Sequence, residues 1–195
     1  GQADASMGSS VSSIFNKTNA SPRGLFFPPM PHNDEAGWKR AIAVAPHFAK
    51  AVVTNFIGSS DSNKSFEGMN YPYPIFVTME KTSEDLSYHL TEAVMENYDQ
   101  FKDSGPGMDG YQLSNQNFSW IFPYHPGAVK YYKKKGVWTS KHDKHNANLI
   151  KRQDVLAKAW QKTLKANLSG DSFKKRWLEN RASALKAAGM PNAYN

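Results

Sequence analysis

Histidines, a serine run and two proline-flanked tyrosines are the places in this 195-residue chain where side-chain chemistry is available. His142 and His145 flank Asp143 at a spacing of three, which on a helix can turn both imidazoles to one side for a metal. Lys141 and Lys144 stand beside them and repel a cation, and no second ligand set lies nearby in sequence. No metal is expected. His125, just before Pro126, reads as a residue that hydrogen-bonds a helix start, because no carboxylate lies near it in sequence to make it a base. The run Gly8-Ser9-Ser10-Val11-Ser12-Ser13 links a predicted strand, Ala3 to Met7, to a short helix entered at Ile14-Phe15. Such a link exposes backbone N–H groups carrying partial positive charge, which attract an anionic ligand; it equally suits plain capping by serine. In Tyr71-Pro72-Tyr73-Pro74, alternating prolines hold two tyrosines with little freedom. They can meet a small molecule at low entropic cost, or fill a surface groove at a rigid crossing.

The chain has no His-Glu-x-x-His, no Walker-type glycine loop, no Gly-x-Ser-x-Gly elbow and no cysteine. Neither an enzyme nor a bound cofactor is expected. Without cysteine there are no disulfides, which leaves the compartment open.

The elements that must position these residues are read from periodicity and caps. Tyr71 to Met79 passes from prolines into an apolar, β-branched run and predicts a buried strand. Thr82 or Ser83 then caps a helix whose first turn holds Glu84 and Asp85, with Leu86, Leu90, Ala93, Val94, Tyr98 and Phe101 as its apolar stripe. That stripe is expected to pack on the strand. Leu25-Phe26-Phe27 predicts another buried strand stopped by Pro28-Pro29, and Asn33 or Asp34 caps a helix that Pro46 ends. The segment from His47 to Ile57 reads as helix passing into strand, followed by an exposed loop over 58–65. Pro126 suits a first helical position, Lys133 to Lys135 suit the negative end of that helix, and Gly136 takes the left-handed stop. In 108–124, Leu113, Phe118, Trp120, Ile121 and Phe122 stand among amides and serines, and the aromatics read as anchors of a glycine-rich loop. Two amphipathic helices follow, about His145 to Leu168 and Ser172 to Ala188, the second closed by Gly189 and Pro191.

Aromatic residues make up 13% of the chain and hydrophobic residues 39%, enough for a folded core. No run approaches the ~18 apolar residues of a membrane-spanning helix. The net charge of +7 is unevenly placed: from Lys130 onward sixteen Lys and Arg face four acids, while the first 129 residues carry more acids than bases. A basic region of this kind can bind nucleic acid or an anionic membrane, but spread over helices it is more often a solvated face.

The phrase His-Pro-Gly-Ala-Val-Lys-Tyr-Tyr-Lys-Lys-Lys-Gly over 125–136, after a strand and a long helix ending near Met95-Glu96-Asn97, resembles the end of TAXI-type solute-binding proteins of tripartite ATP-independent periplasmic (TRAP) transporters. Gly1-Gln2-Ala3-Asp4-Ala5 and Phe26-Phe27-Pro28-Pro29-Met30 are similar to earlier segments of that family. The likeness covers roughly residues 1 to 138. It departs in the loop after the first strand, which has Ser-Ser-Val where a proline and a Thr or Asn are often seen.

The resemblance implies an α/β fold with type II periplasmic-binding-protein-like lobes and a C-terminal helical extension, the chain supplying the C-terminal half. Residues 1–70 would end one lobe and cross over, 71–138 would return to the other lobe, and 139–195 would pack helices over both. It further implies a periplasmic protein that captures a small anionic solute, such as a carboxylate or amino acid, and delivers it to a membrane permease. The ligand would meet Ser9, Ser10, Tyr71 and Tyr73, with lobe closure about the Tyr71 to Pro74 crossing. No nucleic acid is expected on this reading. The rival is a nucleic-acid-binding module that uses the basic tail, with Trp160, Trp177, Tyr131 and Tyr132 as stacking groups.

Overall fold

In the computed structural model, residues 4–72, 75–105 and 107–193 are described. They form a mixed helix and strand structure whose sheet has two strands. In chain order come α1 (Ser13–Asn19), α2 (Glu35–Val44), β1 (Ala49–Val53), β2 (Phe66–Asn70), α3 (Glu84–Glu96), the single turn α4 (Tyr98–Phe101), two 3-10 turns (Met108–Tyr111 and Leu113–Asn115), α5 (Pro126–Lys134), α6 (Ser140–Leu164) and α7 (Gly170–Ala187).

β1 and β2 are antiparallel, with Ala49 opposite Asn70 and Val53 opposite Phe66. One end of this hairpin is closed by rings. Phe27 stacks on Phe66 at 5.4 Å and meets Phe15 and Phe56 edge-on at 5.9 and 5.7 Å. The segment around Phe27 was expected to be a strand and is irregular. Its backbone meets the hairpin only past the prolines, where Met30 N–H donates to the Glu67 carbonyl at 2.7 Å and His32 N–H to Glu67 Oε2 at 2.9 Å, so among the described residues Phe27 is fixed by ring packing more than by a ladder. α2 is capped as expected, Asp34 accepting from Gly37 N–H at 2.8 Å.

Two further expectations of strand fail. Residues 4–7 carry no strand, and neither do residues 75–79, where Phe76, Val77 and Met79 are exposed. An apolar run becomes a strand only when neighbours take its N–H and C=O groups. β1 and β2 pair with one another, and among the described residues no strand stands beside 75–79.

α3 therefore packs on α5 rather than on a strand. Its buried side is Ser87, with Tyr88, Thr91 and Met95 half-buried beside it, whereas Leu86 of the apolar stripe is 61% exposed and Leu90 is also exposed. The cause lies in α5. Gly127 meets α3 backbone to backbone: a Cβ there would stand 2.6 Å from the Tyr88 nitrogen and would overlap the Glu84 carbonyl oxygen. That approach is open only to glycine opposite a small residue, so α3 turns Ser87 to the contact and its leucines outward.

The core of this part is Phe118, Tyr131, Tyr132 and Trp138, with Tyr131 only 1% exposed. Phe118 lies 4.8 Å from Tyr132 and 5.4 Å from Trp138, so the loop anchor expected from sequence is in place. α6 begins at Ser140, earlier than its apolar period suggested, and pairs with α7 into a hairpin that buries Ala159, Thr163 and Leu185. Gly136 (φ 72) and Gly189 (φ 66) both take the left-handed conformation, as a helix stop requires. No helix among the described residues is long and apolar enough to cross a membrane.

Candidate functional site

The most specific sequence phrase, His125-Pro126-Gly127, is a three-part joint. His125 Nδ1 accepts from Gly127 N–H at 3.2 Å and so caps α5. Its Nε2 then carries the proton and donates to the Thr82 carbonyl at 3.1 Å, because a carbonyl oxygen can only accept. One neutral imidazole thus ties the start of α5 to the start of α3, whose own cap is Ser83 accepting from Leu86 N–H at 3.2 Å.

Along the seam the charges interlock. Lys134 reaches Glu92 at 3.2 Å and the Tyr88 hydroxyl at 2.9 Å; Lys135 reaches Glu96 at 2.7 Å; Tyr131 donates to Glu96 at 2.8 Å. Lys134, with Tyr88, holds the Glu92 carboxyl below the usual range, and Lys135, with Tyr131, does the same for Glu96. Burial pushes the Tyr124 hydroxyl up to about 12 and raises Tyr132 as well. A carboxylate with a lowered pKa in the folded chain contributes stability above its unfolded value, about 4.3, and loses that contribution as pH falls through the folded value. The melting temperature is therefore expected to hold between pH 6 and 5 and to fall below about 4, with Glu96→Gln flattening the acid limb. Thermal unfolding followed by circular dichroism across that range reads the slope.

An open groove of about 400 Å³ lies between the start of α3, α5 and α6, bordered by Tyr124, Val129, Lys130, Lys133 and Ile150. Its lysines are committed: Lys130 pairs with Glu84 at 3.2 Å and Lys133 with Asp143 at 2.9 Å. Lys133, together with the Trp138 N–H, also keeps Asp143 low.

The predicted ligand residues fall into separate places. Ser10 Oγ donates to the Asn55 carbonyl at 2.8 Å, and the Ser9 carbonyl accepts from Ser12 N–H at 2.9 Å. Ser12 precedes α1 and makes no side-chain cap bond. Tyr73 lies outside the described residues. Tyr71 joins an aromatic corner instead, edge-on to His47 and to Phe48, each at 5.8 Å. His47 lies 6.2 Å from Trp120, which meets Phe122 at 6.1 Å. Trp120 is held through its carbonyl, which accepts from His145 Nε2 at 2.7 Å. The Trp120 Nε1–H is buried and has no hydrogen-bond partner among the described residues. A buried donor left unpaired costs about 1–3 kcal/mol, so it is a ready donor to any acceptor placed against it. Sequence reasoning missed this group because Trp120 stands 73 residues from His47 and 49 from Tyr71.

The His142 and His145 pair has structural partners. His142 Nδ1 accepts from Thr139 N–H at 3.1 Å at the start of α6, and His145 is engaged with Trp120. Among the described residues, no three His, Asp or Glu stand together as metal ligands do.

Residues 40–136 match the model of the NMT1-like family, a periplasmic solute-binding-like family. The matched segment is just under half of the chain and holds both the aromatic corner and the α3–α5 joint. It supports a solute-binding role in general, with a small-molecule ligand and membrane transporter partners, and proteins of this family are typically extracytoplasmic. No curated protein and no solved structure matches the chain.

Proposed function

We propose that this chain is a periplasmic solute-binding subunit of a TRAP transporter of the TAXI type, which captures a small carboxylate or amino acid and hands it to a membrane permease. The match over residues 40–136 carries the reading. The role is binding without catalysis, in a fold of two lobes of the type II kind. The aromatic corner supplies the recognition chemistry: Tyr71, His47 and Phe48 offer ring faces and edges to the carbon skeleton, and Trp120 Nε1–H offers a buried donor to a carboxylate oxygen. Ser9 and Ser10 would meet the ligand from the other lobe, and Tyr73, outside the described residues, is kept as a ligand contact on the sequence reading alone. Closure about the Tyr71 to Pro74 crossing would then favour the bound state by its greater affinity for the acid.

A thermal-shift titration with glutamate, 2-oxoglutarate and C4 dicarboxylates tests it. A ligand that binds only the folded chain stabilises it by about 2.7 kcal/mol at a hundredfold excess over Kd. For a domain of this size that corresponds to a rise of roughly 5–11 °C. Trp120→Phe keeps the ring and deletes the unpaired donor, so the unliganded melting temperature is expected to stay level or rise while the shift with the acid shrinks. Silence of the native chain towards every acid, with the fold intact, rejects the reading.

A further inference from the structure

Trp120 carries the buried Nε1–H offered to a carboxylate, yet its own segment does little to place it. Residues 119–124 are neither helix nor strand, and among the described residues no backbone–backbone hydrogen bond involves 117–124. Side chains from the first turns of α6 hold the segment instead. His145 Nε2 carries a proton and donates to the Trp120 carbonyl at 2.7 Å, since a carbonyl oxygen can only accept. One residue on, Asn146 Oδ1 accepts from Tyr124 N–H at 2.7 Å, and its Nδ2 donates to the Tyr124 carbonyl at 3.4 Å. Both side chains are half-buried. Adjacent residues of one helix thus grip the loop at two points, and the first of these is the backbone of Trp120 itself.

α6 is fixed in turn. Asp143 in its first turn pairs with Lys133 of α5 at 2.9 Å and accepts from Trp138 Nε1–H at 2.9 Å. The frame that sets Trp120 therefore runs from α5 through α6 to the loop. Ring contacts with His47 at 6.2 Å and Phe122 at 6.1 Å restrain the indole but fix no hydrogen-bond direction. Direction matters here: a binding group works when it is held to about 0.5 Å and 10–20° of its productive place, and the residues behind it supply that precision. His145 stands behind the donor in this sense, and it lies outside the segment that the family model matches.

We propose that His145 is a positioning residue for solute recognition, an inference that rests on the solute reading above. Through the Trp120 carbonyl it fixes the backbone from which the indole projects, and so aims the Nε1–H at the carboxylate.

Proton–nitrogen NMR of the labelled full chain tests it. The chain has five tryptophans, so five indole N–H signals are expected, and the one missing from Trp120→Phe belongs to Trp120. Titration with glutamate, 2-oxoglutarate and succinate is expected to move that signal to lower field with one of the acids, as a new hydrogen bond does, and gives its Kd. His145→Phe keeps a ring and deletes the donor. In the unliganded chain it is expected to move the Trp120 signal while the other indole signals stay. It is also expected to weaken binding roughly tenfold, the low end of what losing a whole hydrogen bond to a charged group produces. His145→Gln, whose amide N–H reaches the same place, is expected to bind within about threefold of native. On a Trp120→Phe background, His145→Phe is expected to add less than about twofold, because a residue that acts through another has nothing left to position. His145→Asn is too short to reach the carbonyl and repeats the deletion should phenylalanine disturb the packing. Silence of the native chain towards every acid, in this titration and in melting, rejects the solute reading and this inference with it. An acid that binds without moving the Trp120 signal, or that binds native protein and His145→Phe equally, rejects the inference alone. So does a His145→Phe loss that persists undiminished on the Trp120→Phe background, or an unliganded His145→Phe spectrum in which the Trp120 signal stays in place.

Discussion

Gly127→Ala is expected to lower the melting temperature by roughly 6–12 °C, the shift that about 3 kcal/mol produces in a chain of this size. Most helical glycines gain stability when replaced by alanine, because the unfolded chain loses freedom. Here the sign reverses. The added Cβ would meet the Tyr88 nitrogen at 2.6 Å, the Ser87 Cβ at 3.0 Å and, closest of all, the Glu84 carbonyl oxygen. Backbone cannot swing aside as a long side chain can, so α5 must lift from α3. The lift would stretch the bonds that cross the seam, from Lys134 to Glu92, Lys135 to Glu96 and His125 to Thr82. Gly105→Ala is the control: nothing lies within 4 Å of a Cβ there, and it is expected to shift the midpoint by about 1 °C or less. A Gly127→Ala chain that melts with native protein would mean that α3 and α5 are not held as close as this contact requires.

This joint shows what sequence alone made legible. Caps and stops are local, and they read correctly: Asp34, Ser83, His125, Gly136 and Gly189 each stand where a short-range rule placed them. The helix beginning at Ser83 was equally plain, but which of its faces is buried was not. Periodicity ranked the faces by apolar content and chose Leu86 and Leu90, whereas contact distance chose Ser87. A small residue on one helix and a glycine in the first turn of another was the available signal, and it lay 40 positions apart. The same separation hid the pairing of Glu92 and Glu96 with Lys134 and Lys135. Residues 75–79 misled for a related reason: β character describes what a segment can join, and strand formation depends on what stands beside it. Of the aromatic corner, Tyr71 was singled out in the sequence by the prolines that follow it, but its packing on His47 and Phe48 was not. Trp120, brought near it through His47, could be read only as an anchor.

Trp138→Ala is expected to cost about 3–5 kcal/mol, or roughly 6–20 °C in melting temperature. Two separate losses add. The indole is 7% exposed and packs on Phe118, Tyr124 and His142 at 5.3–5.5 Å, so its removal opens a cavity ringed by aromatics that are themselves held by other contacts and cannot close in. Its Nε1–H also donates to Asp143 at 2.9 Å, and Asp143 would be left with Lys133 alone. Trp138→Phe separates them, keeping much of the ring volume and losing the donor, and is expected to cost about 1–2 kcal/mol. The position of Trp138 between α5 and α6 directs the damage. The first turns of α6 are tied back by Asp143, by Asn146 donating to and accepting from Tyr124, and by His145 on Trp120. Loosening the first of these ties is expected to raise amide exchange over 139–150 before it rises within the α3–α5 pair, whose contacts do not pass through the indole. Exchange that rose uniformly through α3, α5 and α6 would show instead that the hairpin and the α3–α5 pair open as a single unit, with Trp138 as a shared core residue rather than a hinge between them.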